Sequence, residues 1–475
     1  MSARPPGAGT PRGERRNVGP RYVVVAVSLG SILAPLNSTM LAVALPVIRK
    51  DLEISHAAAG WLISSYLIAM AVTQPAGGRL GDAIGHARVF RGALAAFLVF
   101  SLAASVAPDF RTLLLFRTLQ AVSGALLMPN ARAMLREAVP AGQLGRFSGW
   151  NAASIGAAAA FGPLLGGVVL AVADWRYLFL VNVPFVALGL FMALRLQNYP
   201  SANSRTGRPD LAGTVLFGLL LCLVTVVLNR LGSGGFGAQS AVAAALVVVL
   251  ATFAWRQAHT SSPAAEWGLF RIASFAGASA HILLMNLAMY TTLVATPFFL
   301  TEVQHRGTLL AGLLVGGLAG FQVIGAPVAG RISDAAGRRM TMIGSSIAGL
   351  SAAVMLIAGI DEGMSPAYLA VALAILGLGY GFGFVSAEVA AVEAVPKALT
   401  ASAAGTQSMM RYIGSIIGVG LLSGVLTTGA DGPPEITAFR LLYILMAGLV
   451  ALSVPAAMLV RPPTEHSPAI RDEGR

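Results

Sequence analysis

The sequence predicts an all-α integral membrane protein of fourteen transmembrane helices, built as two six-helix bundles with an inserted two-helix hairpin. Three observations carry this. Of 475 residues, 56% are hydrophobic and only 11% are Asp, Glu, Lys or Arg, with a mean hydropathy of +0.75, whereas a soluble domain presents about 25% charged residues. Apolar runs long enough to cross the hydrocarbon, roughly 20 residues each, recur along the whole chain. A short motif also repeats at the ends of two of these runs, 252 residues apart.

The runs fall near 22–46, 56–78, 91–107, 111–130, 148–171, 176–195, 211–229, 239–256, 272–300, 308–329, 340–360, 366–387, 404–428 and 437–460. The stretch 272–300 is long and reads as one tilted helix. An even number of spans puts both termini on one side. With the N-terminus cytoplasmic, 23 of the 32 Lys and Arg lie in inner loops and tails, seven in outer loops and rims, and Arg117 and Arg411 within spans. That asymmetry satisfies the positive-inside rule. Trp61, Trp150, Trp175 and Trp255 sit near span ends, where amphipathic rings favour the interface. Residues 1–21, rich in Arg, Pro and Gly, read as a disordered cytoplasmic tail, and 462–475 as a second cytoplasmic tail. The first span is too long for a signal-peptide core and reads as retained. Abundant Gly and scarce Lys suit a bacterial source, hence an inner membrane.

The composition also excludes classes. A single cysteine, Cys222, allows neither an internal disulfide framework nor a multi-cysteine metal site. Nucleotide-binding, zinc and nucleophile signatures are lacking, so neither an enzyme nor a cofactor is expected. The glycines of 377–383 lie inside an apolar span with no lysine following and read as helix packing. A net charge of +12 is spread in short arginine clusters between apolar runs, which fits a membrane rim rather than nucleic acid.

The repeat sets the architecture. Residues 78–88 read GRLGDAIGHAR and 330–339 read GRISDAAGRR, each after a span containing proline, Pro75 or Pro327. Both loops are cytoplasmic by the span count, so the halves share an orientation and relate by an axis along the membrane normal. The bundles are 22–196 and 272–461, joined by 197–271 with helices 7 and 8. Gly78 and Gly85, with Gly330 and Gly337 as counterparts, permit a tight turn. Asp82, matched by Asp334, can accept N–H bonds from the next helix N-terminus. Arg79, Arg88 and Arg91, and in the second copy Arg331 and Arg338, can pair with it or with a neighbouring helix end. The motif is either a charge latch that forms in one conformational state or a solvated basic loop.

These motifs resemble the major facilitator superfamily, and more narrowly its fourteen-helix drug:proton antiporter branch. The 78–88 segment is similar to the superfamily's helix 2–3 signature, with His86 where a basic residue is usual. Leu115 to Gln120 with Gly124 resemble the helix-4 motif, although Ala121 replaces a glycine. Gly156, Gly162, Pro163, Gly166 and Gly167 resemble the helix-5 antiporter motif, and Trp175 to Pro184 the entry to helix 6. The resemblance implies the major facilitator fold and a secondary transporter that exports hydrophobic compounds by alternating access, driven by proton antiport. One departure stands out: helix 1 carries Asn37 where the branch usually has Asp, and an amide does not titrate.

Arg117, Gln120 and Gly124 share a helical face at i, i+3 and i+7. An arginine in a span costs about 2.5–3.5 kcal/mol, so Arg117 should face inward with a partner. It either holds an anionic substrate group or gates a proton path, as the resemblance implies, or is structural, bonded to carbonyls around helix 1. Arg411, with Gly414 and Gly418 on its face, either joins the site or snorkels. Gly156, Ala160, Pro163 and Gly167 form a small-residue face that suits either rocking or tight packing. No acid lies deep in a span, Glu388 coming closest. A cavity of Asn37, Gln74, Arg117, Gln120, Asn286 and Arg411 therefore predicts a neutral or anionic substrate. His281 and Glu388 are the candidate proton carriers, His281 alternatively a packing histidine. The expected partners are a small-molecule substrate, protons and the lipid bilayer, without nucleic acid, for a functional monomer. The alternatives are a gradient-driven uniporter or organic-anion transporter without proton coupling, and a non-transporting membrane receptor or scaffold.

Overall fold

Hydrocarbon offers the backbone no hydrogen-bonding partner, so apolar runs of this length fold as helices that satisfy their own N–H and C=O groups. A computed structural model of the chain describes residues 20–139, 141–195, 211–230, 236–260, 267–396, 399–426 and 435–461. Among them are fourteen helices long and apolar enough to cross a membrane. They are α1 (Pro20–Asp51), α2 (His56–Ile84), α3 (His86–Ser105), α4 (Phe110–Ala138), α5 (Ala141–Val172), α6 (Tyr177–Leu194), α7 (Leu211–Asn229) and α8 (Phe236–His259). After these come α9 (Ala273–Phe298), α10 (Thr308–Ala336), α11 (Arg338–Gly359), α12 (Pro366–Glu393), α13 (Thr400–Leu426) and α14 (Ile436–Met458). Each expected span is present. The long ninth run is one helix, carried on past Pro297 by a π-helical turn, Phe299–Val303.

The helix ends differ from expectation in a systematic way. On the face where α1 begins and α14 ends (the terminal face), helices overrun their apolar runs: α2 reaches Ile84, α4 Ala138, α10 Ala336 and α12 Glu393, and α5 starts at Ala141. An apolar run measures the hydrocarbon slab, whereas the helix continues into the headgroup zone where arginines are solvated. The two repeated motifs are consequently helical rather than loops. Residues 78–84 and 330–336 form the last turns of α2 and α10, and the whole turn is a single glycine, Gly85 at φ 101° and Gly337 at φ 86°. Those positive φ angles are the reason for glycine there. Gly78 and Gly330 are ordinary helical positions. Of the tails, Pro20 and Arg21 already belong to α1, while 1–19 and 462–475 lie outside the described residues.

Packing repeats as the motif does. Helix α1 packs on α5, α4 and α6 as α9 packs on α13, α12 and α14; α2 and α3 both pack on α4 as α10 and α11 pack on α12. The halves meet along α5 with α10 and α2 with α13, with α1 and α9 side by side at the centre. The central pair is 83% buried over its most apolar window, α8 only 11%. Burial on that scale needs protein on all sides, so α1 and α9 are the core. The hairpin hangs outside: α7 lies against α2 and α13, and α8 packs on α7.

Candidate functional site

A cavity of about 620 Å³ lies between the halves, walled by α1, α2, α4 and α5 of the first and by α9, α10, α12 and α13 of the second, and extends toward the terminal face as far as Arg132, Gly149 and Glu388. Small residues close it at the far face. A Cβ on Gly167 of α5 would lie 2.9 Å from the Thr308 carbonyl oxygen and 3.0 Å from Gly312 Cα on α10, so only glycine lets the halves touch there. Gly162 and Gly166 press instead on α1 backbone at Leu36 and Met40, Gly156 faces Val323 of α10, and Pro163 sits inside a continuous α5.

A polar cluster reinforces the same closure. Arg49 at the end of α1 donates to Glu302 at 2.8 Å, and His56 Nε2 of α2 lies 2.9 Å from the other Glu302 oxygen. Glu302 belongs to the π-helical turn after α9, so this triad ties one half to the other; π turns are frequent at functional sites. Sequence reasoning counted Arg49 and Glu302 only as outer charges and His56 only as the start of the second span. The one available signal was the unusual length of the ninth apolar run. Nearby, Trp175 Nε1 donates to Asp51 at 2.8 Å and the Arg176 guanidinium lies 4.3 Å from the Trp175 ring centroid, which gives the Trp-Arg pair a part in docking α6 on α1.

Of the six residues expected in the cavity, two line it, one bridges the halves and three lie behind the wall. Asn286 and Arg411 line it. Asn286 donates to the Tyr380 hydroxyl at 2.8 Å and accepts from Ser415 at 3.3 Å; Arg411 lies 3.5 Å from Glu388, which also lines the cavity. Gln74 donates across the halves to the Tyr412 hydroxyl at 2.9 Å. Asn37, Arg117 and Gln120 lie one side chain behind the wall, where Tyr66 covers them. Arg117 is fully buried, donates to Asn37 Oδ1 and, at 2.7 Å, to Gln120 Oε1, and stacks 4.0 Å from the Tyr66 ring centroid. Its partners are all uncharged. Gln120 passes the chain on to Ser101 at 2.7 Å.

His281 is fully buried among α9, α11 and α12, with Nδ1 3.4 Å from Ser346 Oγ and Nε2 close to Gly383. It does not line the cavity. Arg132 does, and the sequence count had put it in the basic loop after helix 4. Helix α4 continues to Ala138, which brings Gly124, Met128 and Arg132 onto one face at i, i+4 and i+8. The overrun of helix past apolar run is the signal that was missed.

The repeated motifs build two matching clusters at the terminal face. In the first half His86 Nε2 lies 3.3 Å from Asp82 and 3.9 Å from Glu137, and Nδ1 lies 2.9 Å from Asn130 Oδ1. In the second, Arg338 donates to Asp334 at 2.6 Å and to Glu393 at 3.2 Å. Each joins an acid on the first helix, a base opening the second and an acid ending the third. The expected capping of α3 by Asp82 does not occur: Gly85 is the cap, without a side-chain bond, and Asp82 turns to His86. Arg88 donates to the Ile84 carbonyl at 3.2 Å, closing the end of α2. Arg79 and Arg331 have no ion-pair partner among the described residues.

Comparison with known proteins agrees with this architecture. The model of the Major Facilitator Superfamily matches residues 27–419 and again 282–474. A Bacillus subtilis (strain 168) protein described as the uncharacterized MFS-type transporter YvkA is 32% identical over 408 residues, 85% of this chain and 91% of its own. The tetracenomycin C resistance and export protein of Streptomyces glaucescens is 30% identical over 417 residues, 87% and 77% of the two chains. Among solved structures, an inward-facing, unoccupied bacterial homologue of the human lysosomal transporter Spinster aligns with a TM-score of 0.66 over 95% of this chain and 100% of that one. At 15% identity it shows the fold alone.

Proposed function

Because the chain belongs to the Major Facilitator Superfamily, whose members here are transporters and not enzymes, we propose that it exports small hydrophobic compounds, neutral or anionic, by alternating access with proton antiport. The observation that carries this is the central cavity, enclosed by two halves of matching packing and closed across the far face by Gly167 against Gly312 and by the Arg49–Glu302–His56 triad. In the bacterial inner membrane, with both termini cytoplasmic, that conformation loads from the cytoplasm. Rocking of α5 against α10 and α2 against α13 would open the far face and release the cargo outside. The export function of the Streptomyces relative supports the direction.

The chemistry of the wall supports the charge preference. A cavity for lipophilic cations needs carboxylates; this one holds two arginines and a single acid, Glu388. Glu388 is also the titratable group best placed to carry a proton, since Asn37 cannot titrate and His281 is sealed off. Exchange requires that proton and substrate use this region in turn: a substrate seated at the Glu388–Arg411 pair keeps the proton off, and a proton taken up there from the outer side releases the substrate. The test is flux of a compound panel from proteoliposomes of the purified chain, with and without a pH gradient. Antiport expects transport that rises with the gradient and loses this dependence in Glu388→Gln. Flux indifferent to the gradient in the unmodified protein would favour the uniporter, and no flux of any compound would leave a receptor or scaffold.

A further inference from the structure

We propose that Arg132 and Arg411 make the cavity a receptor for aromatic monoanions, and that the bound anion draws the two halves together at the terminal face. The inference rests on the transporter reading and names its substrate class.

The charges come first. Arg132 reaches the cavity from α4 of the first half and Arg411 from α13 of the second, within electrostatic reach of each other. Glu388 is the sole acid in the wall; it stands 3.5 Å from Arg411 and belongs to the same half. Among the described residues Arg132 has neither a hydrogen bond nor an ion pair. Glu388 attracts both arginines, but one carboxylate cannot balance two guanidinium groups, so the wall as a whole carries one excess positive charge, which is costly beside a low-dielectric cavity. One anionic group restores neutrality. A carboxylate can take N–H groups from guanidinium in parallel pairs, so an oxyanion placed between the two arginines serves both.

The rings come next. Tyr290, Tyr380 and Phe384 belong to the wall, with Tyr380 and Phe384 stacked at 5.8 Å and 25°. The Arg411 guanidinium lies 5.5 Å from the Phe384 centroid, so the charge and the flat apolar surface are adjacent. A planar ring bearing a carboxylate or phenolate at its edge meets both at once. The volume of about 620 Å³ falls within the 300–1,000 Å³ usual for small-ligand sites.

Closure follows from where the arginines stand. Two like charges on opposite halves repel and hold the terminal face apart; an anion between them replaces repulsion with two attractions. A neutral ligand of the same shape leaves the repulsion in place. The substrate thus supplies the differential interaction that any ligand-driven change of state requires.

Three matched probes test this on the full chain in nanodiscs: 2-naphthoate, its neutral isostere 2-naphthamide, and 2-naphthylmethylammonium. The unmodified protein should bind naphthoate at least tenfold more tightly than naphthamide, with the ammonium weakest. Arg132→Gln should collapse the naphthoate-to-naphthamide ratio to within threefold, and Arg132→Lys should keep most of it. Equal affinities, binding of none of the probes, or a ratio preserved in Arg132→Gln would overturn the assignment. Spin labels at Gln143 and Arg339 in a Cys222→Ser background read the closure: naphthoate should shorten the distance and naphthamide should not. An unchanged distance refutes the coupling. Flux of neutral compounds without anion preference sinks only this inference, whereas flux of nothing at all sinks the transporter reading beneath it.

Discussion

Arg117 and Arg411 each stand about two to three turns inside the membrane, counted from opposite faces at 3.6 residues per turn, yet the two halves treat them differently. In the first half Asn37, Gln120 and the Tyr66 ring enclose Arg117 until no part of it is accessible. In the second, Arg411 keeps a fifth of its side chain open beside a half-exposed Glu388. A cation surrounded by amides is fixed in place and changes little as the cavity fills. A cation on the wall beside a partly solvated carboxylate is free to exchange one partner for another. The repeated terminal-face clusters differ in the same spirit, His86 holding the first and Arg338 the second.

The contrast is sharpest in stability. Arg117→Ala should cost about 3 kcal/mol, because it empties a packed site and strands the Asn37 and Gln120 oxygens. Arg411→Ala should cost under about 1 kcal/mol, since its pair is partly solvated. Thermal unfolding of the purified variants in one detergent compares them, and equal losses would erase the distinction. Asn37→Asp gives Arg117 a charged partner without changing shape, and a charge-assisted bond contributes about 1.5–3 kcal/mol. The melting midpoint should rise, and a fall would mean that desolvation of the new carboxylate outweighs its bond.

Glu302→Gln probes where the halves join. Losing the charge that Arg49 and His56 share should destabilise the closed far face by about 1–2 kcal/mol. Labelling of a cysteine introduced beside the triad should quicken in the variant, and unchanged labelling would show that the glycine contact alone seals that face. The smallest change expected is His86→Arg, which gives the first cluster the base of the second. His86 itself is buried, but its acids Asp82 and Glu137 are partly solvated, and such pairs contribute about 0–1 kcal/mol, so the melting midpoint should barely move. A large shift would reveal that the contact of His86 Nδ1 with Asn130 is the real support of that corner.

Much of the fold was legible because bilayer thickness imposes one length scale on every span, and hydropathy reports it directly. The motif at 78–88 and 330–339 disclosed the repeat for a similar reason: a one-glycine turn at positive φ tolerates few other residues, so it stays recognisable. Helix ends were misread where polar turns extend past the apolar run, and Arg132 was lost in that misreading. Glu302 and His56 escaped notice because they are 246 residues apart and meet only across the two halves. Arg117 was correctly expected to need partners, but nothing in one dimension tells that Tyr66 would stand between it and the cavity.

The amino-acid order alone therefore determines how many helices cross the membrane, that they form two alike halves, and which polar residues are carried into lipid. Each of these depends on composition along one helix or on a local turn. Which polar residues share a cavity depends on how each helix is rotated and how the halves press together. That rotation is chosen by close packing among many helices at once, by Gly167 against Gly312 and by rings such as Tyr66, and only the assembled structure decides it.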